Sequence, residues 1–243
     1  MTVHRLRDPE EVARRAAAAI AESARAAIAQ RGVFTILLAG GDTPRRTYER
    51  LAADASLDWS KVEFFSGDER PVPPEDPDSN YRMVRIALLD PLRIDPRRVH
   101  RIPAERGDPV AVALACEQEL ARVTGAAIGG PAPRLDLALQ GMGADGHTAS
   151  LFPHTKALTE SRRWFAANEV PALSATRITA TFPLLERARA VFFVVTGEAK
   201  AAALADVLEG TWNPDLFPSQ RLRASARVEW FVDAAAASRL REL

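Results

Sequence analysis

The 243-residue sequence lacks several features that would indicate particular classes of protein. Cys116 is the only cysteine, so no intrachain disulfide can form and nothing marks an oxidising compartment. No apolar run approaches the roughly 18 residues that span a bilayer, and residues 1–10 are too polar for a signal peptide. The sequence therefore predicts a cytoplasmic protein that does not contact membranes.

The chain also lacks an excess of either charge. Its 32 lysine and arginine residues balance 32 aspartate and glutamate residues. This balance excludes the broad positive surface of a dedicated nucleic-acid-binding protein but leaves room for a local basic pocket. Lysine is rare and occurs only at Lys61, Lys156 and Lys200. We therefore expect no nucleic acid as a partner, and we expect any anionic ligand to be small.

Short apolar runs alternate with longer helical patterns along the chain. The runs predict strands at residues 33–38, 62–65, 135–139, 177–182, 191–195 and 228–232. Caps and periodicity predict helices from Asp8 to Gly32 and at residues 45–53, 80–89, 108–123, 198–208 and 234–240. The alternation predicts an α/β fold with a parallel sheet covered on both faces. Since no repeat, linker or charge block divides the chain, we expect one domain over residues 1–243.

Polar groups follow four of the predicted strands at the points where those strands end. They are Gly40, Gly41 and Thr43 in the first loop, Asp68 and Arg70 in the second, Asp145 and His147 in the third, and Lys200 in the fourth. The carboxyl ends of parallel strands meet at one edge of a sheet, so we expect these loops to surround a common site. Arg70, Arg177 and Lys200 would neutralise an anion held there.

The turn that contains Gly40, Gly41 and Thr43 joins a predicted strand to a predicted helix. Its backbone N–H groups and the helix N-terminus would suit a phosphate ester, although glycine pairs also occur in ordinary strand-to-helix turns. Asp42 would repel a phosphate unless its carboxylate caps the helix or turns away. Both interpretations of the turn remain open at this point.

The second loop places the carboxylates of Asp68 and Glu69 next to the guanidinium of Arg70. By itself, such a cluster is typical of a salt-bridged surface turn. Residues 71–79, which follow, are rich in proline and predict a long rigid loop. We interpret this loop as a wall of the site.

Residues 141–146 match the dinucleotide-binding pattern G-x-G-x-x-G, which raises the alternative of a nicotinamide-dependent dehydrogenase. That pattern requires a following helix and then a second strand that ends in an acidic residue about 20 positions on. Neither feature follows Gly146. We therefore reject the dehydrogenase interpretation.

His147 lies directly after this glycine loop, at the predicted carboxyl end of a strand. An imidazole accepts protons near neutral pH, and Asp145 is close enough in sequence to orient the ring. Further ligands at zinc-like spacing and a P-loop lysine motif are missing, so we expect no metal. Ser150 is a weaker candidate nucleophile, since its surroundings lack the G-x-S-x-G elbow. The sequence thus predicts His147 as a general base.

These segments resemble the 6-phosphogluconolactonases, in the superfamily that also contains glucosamine-6-phosphate deaminase. The similar segments cover nearly the whole chain, at residues 40–44, 67–73, 78–81, 141–153, 177–179, 196–200 and 230–233. Asp68-Glu69-Arg70 and residues 146–152 favour the lactonases, because deaminases typically continue Asp-Glu-Tyr and Gly-His-Ile-Ala-Phe-Asn-Glu. Asp42, where the family usually has serine, and Gln140, where an apolar residue is common, depart from the pattern.

The resemblance implies a Rossmann-like three-layer α/β/α sandwich with a mostly parallel sheet. It also implies hydrolysis of 6-phospho-D-glucono-1,5-lactone to 6-phospho-D-gluconate, in the oxidative pentose phosphate pathway, without metal or organic cofactor. His147 and Asp145 would then be catalytic. The substrate would be bound by Gly40, Gly41, Thr43, Asp68, Arg70, Arg177 and Lys200. In this scheme Asp68 bonds sugar hydroxyls or orients Arg70.

Two alternatives stay open from the sequence. Isomerase or deaminase chemistry of the same superfamily would convert a sugar phosphate, whereas a non-catalytic sensor domain would only bind one. Bacterial sensors of this kind normally carry a helix-turn-helix segment, and we expect none because the predicted domain begins almost at once. We expect the chain to be a monomer or a weak homo-oligomer.

Overall fold

The predicted parallel sheet forms the centre of the molecule and contains seven strands. A computed structural model describes residues 1–54 and 56–241. Within that part, the strands in chain order are β1 (Thr2–Leu6), β2 (Phe34–Leu38), β3 (Val62–Ser66), β4 (Asp68–Glu69), β5 (Val99–His100), β6 (Leu137–Gln140), β7 (Phe165–Val170), β8 (Ala175–Ala180), β9 (Ala190–Val195) and β10 (Val228–Asp233). Parallel pairing in the order β1-β10-β9-β6-β2-β3-β5 confirms the α/β fold class.

Helices cover both faces of this sheet. They are α1 (Pro9–Arg31), α2 (Asp42–Leu51), α3 (Asn80–Val84), α4 (Pro109–Thr124), α5 (Phe182–Leu185) and α6 (Ala201–Glu209), and a π-helical turn, Arg85–Leu89, continues α3. The ends of α1 are as the sequence predicts. Asp8 accepts a hydrogen bond from the N–H of Glu11 at 2.8 Å, and Gly32 ends the helix in the left-handed region at φ 77°.

Strand β9 shows how the sheet separates two apolar layers. Val191, Phe193 and Val195 pack with residues of α4 and α6, whereas the intervening residues pack with residues of α1 and α2. Successive strand residues point to opposite faces, so a strand that is apolar throughout is buried on both. The ring of Phe193 also stacks on Trp230 of β10 with centroids 3.8 Å apart. The sheet and the helices that pack on each of its faces through these apolar layers form the predicted three-layer α/β/α sandwich.

A smaller antiparallel sheet of β4, β8 and β7 lies beside the main one, and the sequence did not predict it. The run at 177–182 was expected to join the parallel sheet, but it corresponds to β8 of the small sheet. Strand β7 escaped prediction because its sequence, FAANEV, contains alanine and asparagine, which are poor strand formers. Ser174, at φ 48°, helps to turn the chain between β7 and β8.

Other differences concern the edges and ends of elements. Strands β1 and β5, at the two edges of the main sheet, were not predicted. The expected helix at 198–208 starts as a 3₁₀ turn, Glu198–Lys200, before α6. The expected helix at 234–240 is only a 3₁₀ turn, Ala236–Arg239, since so short a segment gains few helical hydrogen bonds. Of the helices described, none combines the length and apolarity needed to cross a bilayer.

Asp136 joins the beginning of β6 to the beginning of β2 and is buried. One carboxylate oxygen accepts from the N–H and Oγ1 of Thr35 at 2.9 and 3.0 Å, and the other accepts from Arg31 at 2.6 Å. We expect Asp136→Ala to lower the free energy of unfolding by about 1–3 kcal/mol, because the partly buried Thr35 N–H loses its acceptor. At roughly 2–4 °C per kcal/mol for a chain of this size, thermal unfolding followed by circular dichroism checks the effect. An unchanged melting temperature would contradict it.

Candidate active site

A cavity of about 590 Å³ lies at the carboxyl ends of the parallel strands, which is a size typical of small-molecule sites. Its wall includes residues from the loops that follow β2, β6 and β9 and from the segment after β3 that contains the short strand β4. The structure thus brings together the four strand ends that carry the predicted polar groups. Gly40, Gly41, Thr43, Asp68, Arg70, His147, Arg177 and Lys200 all line it, and Asp145 stands directly behind His147.

His147 and Asp145 form a hydrogen-bonded pair in the loop after β6. The Nδ1 of His147 lies 2.6 Å from Oδ1 of Asp145, and the same oxygen accepts from the backbone N–H of His147 at 3.1 Å. The imidazole also stacks on Phe152, with ring centroids 4.0 Å apart. Because Nδ1 is engaged by the carboxylate, Nε2 is the ring nitrogen left for proton transfer.

Asp145 is held in its ionised form. Although burial by itself raises the pKa of this carboxyl, the hydrogen bonds from His147 and its charge outweigh burial and bring the pKa below its usual value. An ionised carboxylate fixes the tautomer of the imidazole and stabilises its protonated form. The pair therefore has the geometry of an oriented general base.

Gly143 makes the close approach of this pair possible. A Cβ at this position would lie 2.1 Å from Nδ1 of His147 and 2.4 Å from Oδ1 of Asp145. The loop also closes on itself, because the N–H of Gly143 donates to the carbonyl of His147 at 2.9 Å. Turns without a helix follow from Gly146 to Thr155. The helix that a dinucleotide-binding loop requires is thus missing, as predicted from the sequence.

Gln140, the departure from the family pattern at the end of β6, has a structural role. Its side chain is buried, and its Oε1 accepts from Oγ1 of Thr148 at 2.7 Å. Thr148 also donates to the carbonyl of Gly141 at 2.9 Å. Gln140 thereby holds Thr148, the residue after His147, at the carboxyl end of β6.

Three cations line the cavity, namely Arg70, Arg177 and Lys200. Across residues 1–54 and 56–241, none of them forms an ion pair. Burial and the neighbouring charge of Arg70 lower the pKa of Arg177. Burial likewise lowers the pKa of Lys200, which the charge of Asp145 partly opposes. A bound anion would offset the cost of desolvating Arg177 and Lys200 and the repulsion between Arg177 and Arg70. The arrangement therefore suits a phosphate.

The turn at Gly40 and Gly41 approaches the cavity through its backbone. Gly41 has φ 99° and precedes α2, and no side chain caps this helix. Asp42 therefore does not act as the cap. Its side chain is 80% exposed and accepts from Nε of Arg45 at 3.1 Å, so it turns toward that arginine. Thr43 meets Thr196 through their hydroxyls at 2.8 Å.

Asp68 is buried beside the cavity and is bonded to two side chains. Its Oδ2 accepts from Oγ of Ser150 at 2.6 Å, and its Oδ1 accepts from Nδ2 of Asn80 at 3.2 Å. In the described part of the chain no hydrogen bond joins Asp68 to Arg70, so the predicted orienting of Arg70 by Asp68 has no direct contact behind it. Arg70 instead donates through Nη1 to the carbonyl of Asp78 at 2.5 Å. Ser150 is bonded to a carboxylate and not to the imidazole, which is unlike an activated serine–histidine pair.

Several residues at the cavity were not assigned from the sequence. Asn80, Thr196 and Leu173 line it. The first two lie within the segments that resemble the family, which could have indicated them, whereas Leu173 lies outside those segments. The interpretation of residues 71–79 as a wall is wrong, because none of them lines the cavity. The loop contributes through its ends, Arg70 and Asn80. Among the residues described, no three His, Cys, Asp or Glu side chains are grouped to hold a metal ion.

Comparisons with known proteins show the family of this chain. A family model described as "Glucosamine-6-phosphate isomerases/6-phosphogluconolactonase" matches residues 7–230. The chain belongs to this family. A 6-phosphogluconolactonase of Synechocystis sp. is 42% identical to it over 215 residues, covering 88% of each chain. One of Mycobacterium tuberculosis is 40% identical over 221 residues, again 88% of each.

A solved structure of 6-phosphogluconolactonase from Trypanosoma brucei is similar with a TM-score of 0.86 and 30% identity, covering 99% of this chain and 98% of that one. A structure of a monomeric glucosamine-6-phosphate deaminase is similar with a TM-score of 0.82 at 23% identity. At that identity the likeness shows the fold alone.

Proposed function

We propose that the chain hydrolyses 6-phospho-D-glucono-1,5-lactone to 6-phospho-D-gluconate. Family membership and the similarity to 6-phosphogluconolactonases support this proposal. The observation that carries it is one cavity holding the His147–Asp145 pair together with three cations that have no ion-pair partner in the described part of the chain. Such a site combines a base for water with a binding surface for a phosphate ester.

The proposed reaction begins with a water molecule held near Nε2 of His147. The imidazole takes a proton from this water as its oxygen bonds to the lactone carbonyl carbon, and Asp145 stabilises the imidazolium. When the tetrahedral intermediate collapses, the bond between the carbonyl carbon and the ring oxygen breaks. The ring oxygen takes the proton from His147. The product acid then loses a proton to solvent. No covalent nucleophile, metal or organic cofactor enters this scheme.

The remaining polar groups are assigned to binding. Arg70, Arg177 and Lys200 hold the phosphate and the developing carboxylate, and the backbone of Gly40 and Gly41 with the Thr43 hydroxyl approaches the substrate at the start of α2. Asp68 accepts from sugar hydroxyls, which its buried position beside the cavity supports. We retain a single domain, a cytoplasmic location and a monomer or weak homo-oligomer as predictions.

A coupled assay with freshly generated lactone tests the proposal directly. Acid release well above the spontaneous rate is expected, while glucosamine 6-phosphate should release no ammonia. Ammonia release without lactone hydrolysis would favour deaminase chemistry instead. Tight binding of sugar phosphate with no turnover of either compound would favour a sensor.

The phosphate anchors are tested by Arg177→Ala and Lys200→Ala. A hydrogen bond to a charged group is worth about 1.5–3 kcal/mol, so we expect each variant to raise KM for the phosphorylated lactone by about 10- to 100-fold. KM for unphosphorylated gluconolactone should change far less. Lys61→Ala is the matched control, because Lys61 pairs with Asp58 at the other end of the sheet. Equal effects on both lactones would remove the phosphate role.

A further inference from the structure

Glu69 is a buried carboxylate that stands next to the cavity without lining it. It is only 2% exposed. One oxygen accepts from the backbone N–H groups of Arg70 at 2.9 Å and Asn80 at 2.8 Å. The other accepts from the N–H of Tyr81 at 2.8 Å and from Oγ of Ser79 at 3.1 Å. Four donors thus saturate this carboxylate.

These bonds tie together the two ends of the proline-rich loop 71–79. Arg70 and Asn80, on either side of the loop, both line the cavity. The loop itself contains no regular helix or strand, and its two ends are joined by the bonds to Glu69 and by the bond from Arg70 to the carbonyl of Asp78. Burial raises the pKa of Glu69, and the three backbone N–H bonds oppose that effect.

The bond to Asn80 extends the influence of Glu69 to two further parts of the cavity. The amide nitrogen of Asn80 donates to the carboxylate and the carbonyl of Asp68. Its amide oxygen packs so closely on Gly40 that a Cβ there would lie 2.0 Å away. Moving Asn80 would therefore disturb both Asp68 and the glycine turn before α2.

We propose that Glu69 is the positioning residue of the substrate-binding side of the cavity, where it sets Arg70 and Asn80 through their backbone. The inference rests on the proposed function and extends it to a residue that does not touch substrate. His147 and Asp145 lie on a different loop, held by Gln140 and Gly143. Glu69 should thus govern binding of the phosphorylated substrate more than the chemical step.

Glu69→Gln tests the proposal with little change in shape. The amide replaces one acceptor oxygen by a donor, so at least one N–H of Arg70, Asn80 or Tyr81 loses its partner. We expect KM for the phosphorylated lactone to rise roughly tenfold or more, since misplaced binding groups lose affinity. The kcat should fall less than threefold, and KM for gluconolactone should change little. Hydrogen exchange at residues 70–81 should become faster.

Glu117→Gln is the matched control for a merely structural effect. Glu117 is also buried, and it accepts from the N–H groups of Trp164 and Phe165 outside the cavity. This variant should be less stable but keep both KM values. Glu69→Asp retains the charge on a shorter side chain, so its KM should be intermediate. If Glu69→Gln does not fold, Glu69→Asp alone must show the KM difference between the two lactones.

The proposal is overturned if Glu69 variants lower kcat for both lactones with no difference in KM, or if Glu117→Gln produces the same difference. Calorimetric measurement of the binding of 6-phosphogluconate and inorganic phosphate distinguishes failure of the positioning proposal from failure of the proposed function. Should the wild type lack lactonase activity, weaker anion binding by Glu69→Gln still supports the positioning role. Unchanged anion binding, or none by the wild type, overturns it.

Discussion

His147→Asn is expected to lower kcat for lactone hydrolysis by about 10²- to 10⁴-fold, the range typical of general-base catalysis. The asparagine amide is close in size to imidazole but cannot accept a proton from water. Because His147 is assigned to the chemical step and not to phosphate binding, KM should stay within a few-fold. Steady-state kinetics over a pH series measure both parameters.

The geometry that supports this expectation is the bond between Nδ1 of His147 and Asp145. Asp145→Asn should therefore have a large effect of its own, since an amide no longer stabilises the imidazolium or selects its tautomer. The reductions in kcat caused by His147→Asn and Asp145→Asn should not be additive, because each substitution removes the same oriented base. A double variant is expected to be about as slow as the slower of the single variants.

The chain offers a matched control in His154. Its Nδ1 lies 2.6 Å from Oδ2 of Asp215, the same separation as in the His147 pair, but His154 is exposed and does not line the cavity. Its φ of 59° lies in the left-handed region, which asparagine tolerates. His154→Asn should keep wild-type kinetics. A folded His147→Asn protein with nearly unchanged turnover would show that the general-base assignment is wrong.

Gly143→Ala is expected to reduce kcat on the order of 10²-fold, although glycine to alanine adds only a methyl group. A displacement of about 1 Å in a catalytic group costs rate on this scale. The added Cβ would lie 2.1 Å from Nδ1 of His147, well inside contact distance. Since the pair touches the glycine directly, the imidazole, the carboxylate or the loop has to move. Crystal structures and kcat of the variant check the result.

Gly141→Ala is the control from the same loop. The nearest atoms to its Cβ are 3.9 Å away, which is ordinary van der Waals contact. We expect this variant to fold and to keep kcat within a few-fold of wild type. Equal losses in both glycine variants would mean that loop flexibility, and not the position of the imidazole, limits the rate. Wild-type kcat in Gly143→Ala would contradict the close packing on His147.

The sequence by itself determined the α/β fold of this protein and the position of the His147–Asp145 pair. Helix caps such as Asp8 and Gly32, the apolar strands and the glycine loop depend on neighbouring residues, so their structure follows from local chemistry. Asp145 and His147 are two positions apart in one loop, and their pairing is local as well. The single-domain organisation and the residue roles stay predictions.

The tertiary structure alone decided which distant groups meet at the cavity. Arg177 reaches it from the unpredicted antiparallel sheet, and Asp68 bonds Ser150 although 82 positions separate them. Asn80 and Glu69 meet across a loop of irregular backbone. Such contacts depend on how the sheets and loops pack, which no local pattern encodes.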